Sequence, residues 1–265
     1  IPYPVDQAVG VLENVRHLIV VGTVSPVAFF AYPDKPSLLA PSDCQIHSLA
    51  GPADDLLAAL EWLADELGVS GVVPKLQAAQ RPGLVSGALT VESIGSAIGH
   101  LLPENAIVCD ESVTSGRALH PYTRGCPPHD WLFGTGGAIG RALPEATGAA
   151  IACPDRRVLC LSGDGSAMYT LQALWTQARE NLDVTTVIYD NRSYAILHGE
   201  LRNVGAQPGQ KAKDMFDLDR PTLDWLGLAR GLGVEAVRAT TADEFNQALG
   251  QSFARPGPTL IDAVI

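Results

Sequence analysis

Basic charge is what this sequence has least of: 18 Lys and Arg stand against 29 Asp and Glu over 265 residues, a formal net charge of −11. A sequence-independent nucleic-acid binder needs a basic surface, and anionic membrane surfaces attract polybasic segments, so neither partner is expected. Long apolar runs are missing as well. The most apolar stretch, residues 18–32, holds Gly22, Ser25 and Pro26 and falls short of the roughly 18 residues a membrane-spanning helix needs. No secretory signal or lipidation motif reads from the sequence. The chain opens on Ile1 and not on Met, as a processed, fragmentary or trimmed chain does. Cysteine is sparse: Cys44, Cys109, Cys126, Cys153 and Cys160 are odd in number and no two have C-x-x-C spacing. A disulfide framework and a zinc site are therefore not expected, and the cytoplasm is the expected compartment. Cys109 and Cys160 sit in apolar runs and read as small buried hydrophobes. No internal repeat or low-complexity segment is present.

Hydrophobic residues make up 46% and charged residues 18%, a balance that supports a core and excludes a disordered chain. Glycine, at 26 residues, is about 10% against a usual ~7%, and proline stands at 19, so tight turns are many. Residues 4–16 carry a helical pattern and 17–22 (HLIVVG) read as a buried strand. Residues 53–67 predict an amphipathic helix with Leu56, Leu57, Leu60, Leu63, Ala64 and Leu67 on one face, closed by Gly68. Residues 69–87 hold several Gly and Pro with little periodicity and read as an interdomain linker, so that a first unit spans 1–68, a linker 69–88 and a second unit 89–265. In the second unit helices are predicted over 90–102, 136–152, 170–181, 222–231 and 241–254, and strands over 106–110, 157–162, 184–190, 234–237 and 259–264. Alternating strands and helices, with three strands nearly all apolar, predict an α/β fold: a doubly wound parallel sheet covered on both faces.

Open α/β sheets bind ligands at the carboxyl ends of their strands. RVLCLS runs directly into Gly163-Asp164-Gly165-Ser166, and VTTVIYD into Asp190-Asn191-Arg192-Ser193-Tyr194. Asp164 offers a carboxylate between two glycines, Asn191 an amide oxygen and Ser193 a backbone carbonyl. Three hard oxygens suit Mg²⁺ or Ca²⁺, with water and phosphate oxygens completing the shell. Each motif alone is a common turn. Asp164 and Asn191, however, are 27 positions apart with a helix and a strand between, one βαβ crossover that sets the two strand ends side by side.

GDG followed about 27 residues later by Asn is the signature of the thiamine diphosphate enzymes, and residues 163–197 resemble benzoylformate decarboxylase and the acetolactate synthase large subunit. The resemblance runs upstream through GGAIGRALPEATGAA and through Asp110-Glu111-Ser112-Val113-Thr114-Ser115, and PVAFFAYPDKPS resembles the end of the family's central domain. It implies that Asp164, Asn191 and the Ser193 carbonyl hold Mg²⁺. Glu111, Ser112, Thr114, Gly163, Gly165 and Ser166 would hold the diphosphate end. The Gly137 carbonyl would accept from the cofactor's amino group, and Ile139 would be the apolar wedge under the cofactor's bend. Tyr194, Ala195 and Ile196 would line the cofactor and substrate side. The implied reaction is decarboxylation or carboligation of a 2-oxo acid, in a homodimer or tetramer.

Departures narrow this. Asp190 stands where the family has Asn, and Arg192 where Gly or Asp is common. Residues 196–200 lack the Trp- and Gln-containing stretch of acetolactate synthases, and Ala31 falls where benzoylformate decarboxylase has a catalytic histidine. The activating glutamate of the family's N-terminal pyrimidine-binding domain does not map onto Glu92, Glu104, Glu111 or Glu145. The chain is therefore expected to resemble the C-terminal portion of such an enzyme, with residues 1–68 as the latter half of its central domain, and to be inactive without the N-terminal domain or subunit. A non-catalytic binding or assembly module of the same fold is the alternative. A nicotinamide oxidoreductase is disfavoured, because the glycines of residues 134–140 fail the dinucleotide fingerprint. Of the histidines, His120 and His129 read as loop residues, and His198 as a candidate substrate contact.

Overall fold

The computed structural model describes residues 1–134 and 136–265. Thr135, part of the failed fingerprint, lies outside them. The chain forms two compact units, one of Ile1–Leu76 with Asn203–Ala206 and one of Gln77–Arg202 with Gln207–Ile265.

The first unit holds α1 (Val5–Leu12), β1 (His17–Val21), β2 (Gln45–Ala50) and α2 (Leu56–Glu66). β1 and β2 pair in parallel, His17 opposite Gln45. β2 has no uniform apolar run and was not read from the sequence. The small core is Val5, Ala8, Leu12 and Leu39. α2 starts later than its periodicity, because the Asp55 carboxylate accepts the Ala58 N–H at 3.0 Å and so caps the helix there. Gly68 ends the helix with φ +65°, as expected. The predicted apolar face is present, but no α2 residue is buried.

The second unit runs α3 (Val91–Leu101), β3 (Ile107–Glu111), α4 (His120–Thr123), β4 (Asp130–Leu132), α5 (Ala142–Ala152), β5 (Val158–Gly163), α6 (Asp164–Ala167), α7 (Ala173–Arg179), β6 (Val184–Asp190), α8 (Ala195–Asn203), α9 (Gln210–Asp214), α10 (Trp225–Gly231), β7 (Glu235–Ala239), α11 (Ala242–Ala254) and β8 (Thr259–Val264). Six strands form one parallel sheet in the order β4-β3-β5-β6-β8-β7. Strand side chains alternate between two cores. Val108, Leu159, Leu161, Val187, Tyr189 and Ile261 meet Ile94 and Ile98 of α3 and Phe245 and Leu249 of α11. Cys109, Val158, Cys160, Val184, Ile188 and Leu260 meet Leu143 of α5, Leu174 of α7 and Trp225 of α10. This is the doubly wound sheet the pattern predicts.

Three readings of the sequence need correction. The helix expected from residue 136 starts at Ala142, because Gly136, Gly137 and Gly140 take φ of +67°, +68° and +86°, incompatible with a right-handed helix. Residues 129–133, too irregular to count as a strand, supply edge strand β4 beside β3. Residues 77–88, expected as part of the linker, group with the second compact unit. Gln80 donates its N–H to the Gly125 carbonyl (2.9 Å), the Ser96 hydroxyl donates to the Gly83 carbonyl (2.6 Å), and the Gly87 N–H donates to Asp243 (3.0 Å). Residues 77–88 are thus stitched to the second unit through their backbone.

Candidate functional site

The chain passes from β3 outward to β4 and returns across β3 to β5, so the winding direction switches between β3 and β5. Crevices at such switch points bind ligands in open α/β sheets. Glu111 pairs with Ser162 at this point, and Gly163 with Tyr189 one strand further on. The ends of β3, β5 and β6 therefore lie side by side and bring Glu111, Asp164 and Asn191 to one edge of the sheet.

Asp164 begins α6 and is 2% exposed. Its Oδ1 accepts the Gly165 N–H (2.8 Å) and its Oδ2 the Arg192 N–H (2.6 Å), which ties the two loops together. Burial pushes its carboxyl up to about 6; the two N–H donors offset part of this, and the neighbouring Asp190 carboxyl adds to it. Asn191 Oδ1 accepts the Ser193 N–H (2.9 Å), an Asx turn that carries Arg192 at φ +55°. Tyr194 donates its N–H to the Phe216 carbonyl (2.8 Å), and Leu218 donates to the Arg192 carbonyl (2.8 Å). These bonds flank the Ser193–Asp217 bridge and leave the Ser193 carbonyl outside the ladder. The Tyr194 ring lies so close over Gly165 that a Cβ there would run into it. Ser166 is half-buried, and Ala195 and Ile196 open α8 beside this turn.

The β3 loop is arranged differently. Glu111 is buried and caps α5: Oε1 accepts the N–H groups of Gly140 (2.6 Å) and Arg141 (3.2 Å), and Oε2 that of Ala142 (3.3 Å). Its carboxylate is engaged by a helix start. Thr170 donates its hydroxyl to the Gly140 carbonyl (2.5 Å), and the Tyr169 side chain occupies the space a Cβ on Gly140 would need. Gly137 and Ile139 stand just before this anchored point, Ile139 half exposed, an apolar side chain presented to solvent. Ser112 donates its N–H to Asp110 (2.9 Å), whose other oxygen accepts from the Trp131 indole (3.2 Å), and Thr114 is half-buried at the start of the following turn. The grip of Glu111 and Thr170 on Gly140 escaped the sequence reading; the glycine three residues after Gly137 was the available signal.

His198 lies one turn into α8. Its ring meets Phe216 edge-on (5.1 Å between centroids), and Nε2 stands 4.0 Å from Asp217 Oδ1. His129 stands just before β4, Nδ1 at 2.7 Å from the Pro127 carbonyl and its ring against Trp131.

Does this set of residues fit a cation? No cluster of three His, Cys, Asp or Glu side chains with metal-binding geometry exists among the described residues. The set here is one carboxylate, one amide oxygen and one free carbonyl, all hard donors suited to Mg²⁺ or Ca²⁺ and not to zinc. Beside it, Asp190 Oδ2 is buried without a hydrogen-bond partner. An orphaned buried carboxylate oxygen next to a second buried carboxylate is what a cation site leaves when described without its cation. The residues fit.

The family model described as "Thiamine pyrophosphate enzyme, C-terminal TPP binding domain" matches residues 113–263. This chain belongs to the thiamine pyrophosphate enzymes. It is 54% identical over 99% of its length to a Mycobacterium tuberculosis protein named "Putative acetolactate synthase large subunit IlvX", of which it covers 51%. It is 33% identical to Pseudomonas aeruginosa benzoylformate decarboxylase over 78% of this chain and 39% of that protein. Among solved structures, a Rhodococcus jostii RHA1 thiamine diphosphate-dependent 4-hydroxybenzoylformate decarboxylase superposes with a TM-score of 0.78 at 28% identity, covering 98% of this chain and 51% of the other. The chain thus spans about half the length, or less, of these relatives. No helix among the described residues is long and apolar enough to cross a membrane. The fold class expected from the alternating strands and helices, and the family expected from the GDG and DN strand ends, are those found.

Proposed function

We propose that this chain is the diphosphate-binding portion of a thiamine diphosphate- and Mg²⁺-dependent enzyme that decarboxylates or carboligates 2-oxo acids. The observation that carries the reading is the adjacency of Asp164 and Asn191 at neighbouring strand ends, joined by the Arg192 N–H to Asp164 bond. Asp164, Asn191 and the Ser193 carbonyl would hold the cation, and Gly163, Gly165, Ser166 and the Ser112–Thr114 turn would receive the diphosphate. When bound, the cofactor supplies the electron sink for cleaving the bond beside a 2-oxo group. The chain's own part is to fix it. Gly137 presents a backbone carbonyl, Ile139 an exposed apolar side chain for the rings to rest on, and Tyr194, Ala195 and Ile196 a half-buried wall. In this reading residues 1–68 are the latter half of a central domain. The pyrimidine-binding domain comes from a longer chain or a separate subunit, the working form is a dimer or tetramer, and the chain alone does not turn over. Half-buried and buried free thiols fit a reducing cytoplasm.

Calorimetric titration of thiamine diphosphate with Mg²⁺ into the chain, beside D164A, tests this. Saturable binding that needs Mg²⁺ and disappears in D164A is expected. A folded chain that binds nothing, with the N-terminal portion restored as well as without it, overturns the reading. Binding without turnover of any 2-oxo acid in the restored protein would favour a non-catalytic module.

A further inference from the structure

The cation site just proposed counts one carboxylate, yet a second lies beside it. The register that pairs Gly163 with Tyr189 leads directly into Asp164 and Asp190 at neighbouring strand ends, both buried, and the Asp190 carboxyl adds to the upward push on that of Asp164. Asp190 is 3% exposed. Its Oδ2 has no hydrogen-bond partner, and the side chain of Arg192, half exposed, comes no closer than 3.9 Å through Nε. Arg238, the next basic group, donates instead to Asp262 at 2.8 Å. Two buried carboxylates at neighbouring strand ends repel each other where water is excluded, and a positive charge shared between them relieves the repulsion. An arginine beyond hydrogen-bonding distance does not meet that need for the orphaned oxygen.

We propose that Asp190 adds a second negative charge to the Asp164–Asn191 site, so that this chain takes up a divalent cation by itself, ahead of any diphosphate. The inference rests on the reading of that site given above. A site of one carboxylate, one amide and one carbonyl holds Mg²⁺ weakly until phosphate oxygens complete it, and affinity for hard cations climbs with the number of charged ligands. Asp164 and Asp190 together supply the charge that a phosphate would otherwise bring. The Asp190 position thereby sets the order of assembly, cation first and cofactor second. The exposed Arg192 guanidinium opposes this, as a positive charge near the same carboxylate.

The test is calorimetric titration of Mg²⁺ alone into the 265-residue chain, its D190N variant and its R192A variant, repeated in the presence of thiamine diphosphate. Wild type is expected to bind Mg²⁺ saturably without the cofactor. D190N should weaken that binding about tenfold through the lost charge, and R192A should tighten it. With thiamine diphosphate present, the gap between wild type and D190N should narrow, because the diphosphate brings its own charges. Asn keeps the shape of Asp, and thermal melts of all three proteins check that the fold is intact. Equal Mg²⁺ affinity in wild type and D190N overturns the inference, as does a wild type that binds Mg²⁺ only with the cofactor; in both cases the proposed function stands. Absence of binding under every condition overturns the inference, and the same titration with the N-terminal portion restored then decides the proposed function.

Discussion

The two units are built from the same parts and differ in what covers them. In the second unit β6 is buried at every position and helices close both faces of the sheet. In the first, β2 is exposed at four of its six positions and α2 buries nothing. Both units hold parallel strands and amphipathic helices with side-chain caps. α11 is capped by Thr241 and Glu244, α2 by Asp55. α11 sinks Phe245 and Leu249 into a core, whereas Leu57, Leu60, Trp62 and Leu67 around α2 stay exposed. Periodicity therefore states which face of a helix can be buried. Whether it is buried depends on a second layer, which residues far away in sequence must supply.

The largest expected break in this contrast is a core truncation. Phe245→Ala should destabilise the second unit by about 3–5 kcal/mol, whereas Trp62→Ala should change stability by no more than about 0.5 kcal/mol, both read by urea unfolding. Comparable costs at the two sites would mean that α2 is covered after all. The next effect is pH-dependent and confined to the second unit. Because burial raises the Asp164 carboxyl to about 6 from an ordinary 3.8, its contribution to stability is full below about pH 4 and is lost as pH rises through 6. Metal-free protein should lose up to about 3 kcal/mol across that window. Asp164→Asn should flatten the curve, and saturating Mg²⁺ should restore stability at pH 7; melting temperature against pH reads all three. A smaller change is loss of a cap. Thr241→Ala should cost about 1 kcal/mol in global stability, whereas Asp55→Ala should fray α2, seen as lost helical circular dichroism, with little effect on the cooperative transition. Smallest is a difference in thiol labelling. Burial pushes the Cys109 thiol up to about 12 and the Cys160 thiol well above its ordinary value. At pH 8 a thiol reagent should modify half-buried Cys44 of the first unit while Cys109 and Cys160 react only on unfolding.

What the sequence disclosed follows the same division. β6 and β8 fall at their predicted residues because buried parallel strands are continuous apolar runs that end abruptly in polar ones. Asp164 and Asn191 could be set side by side from spacing alone, since one right-handed crossover leaves little freedom. The loop at residues 136–141 resisted such reading. Its glycines look like a loose helix entry, and Gly140, at φ +86°, is held by Glu111, Thr170 and Tyr169, residues about 30 positions away on either side. Asp190 is visible as an extra acidic residue, but that its Oδ2 has no hydrogen-bond partner emerges only once β5, β6 and β8 are packed together. β2 was illegible because a strand without a buried face carries no pattern.

The close approach of the Tyr194 ring to Gly165 has a consequence for how this protein can change over generations. The two positions are 29 apart in sequence, yet neither is free to drift alone. Any side chain at 165 collides while Tyr194 keeps its place, and a small residue at 194 uncovers the turn after Asp164. Substitutions tolerated here should arrive as matched pairs, so a library randomising both positions together should recover combinations that two single-site libraries miss.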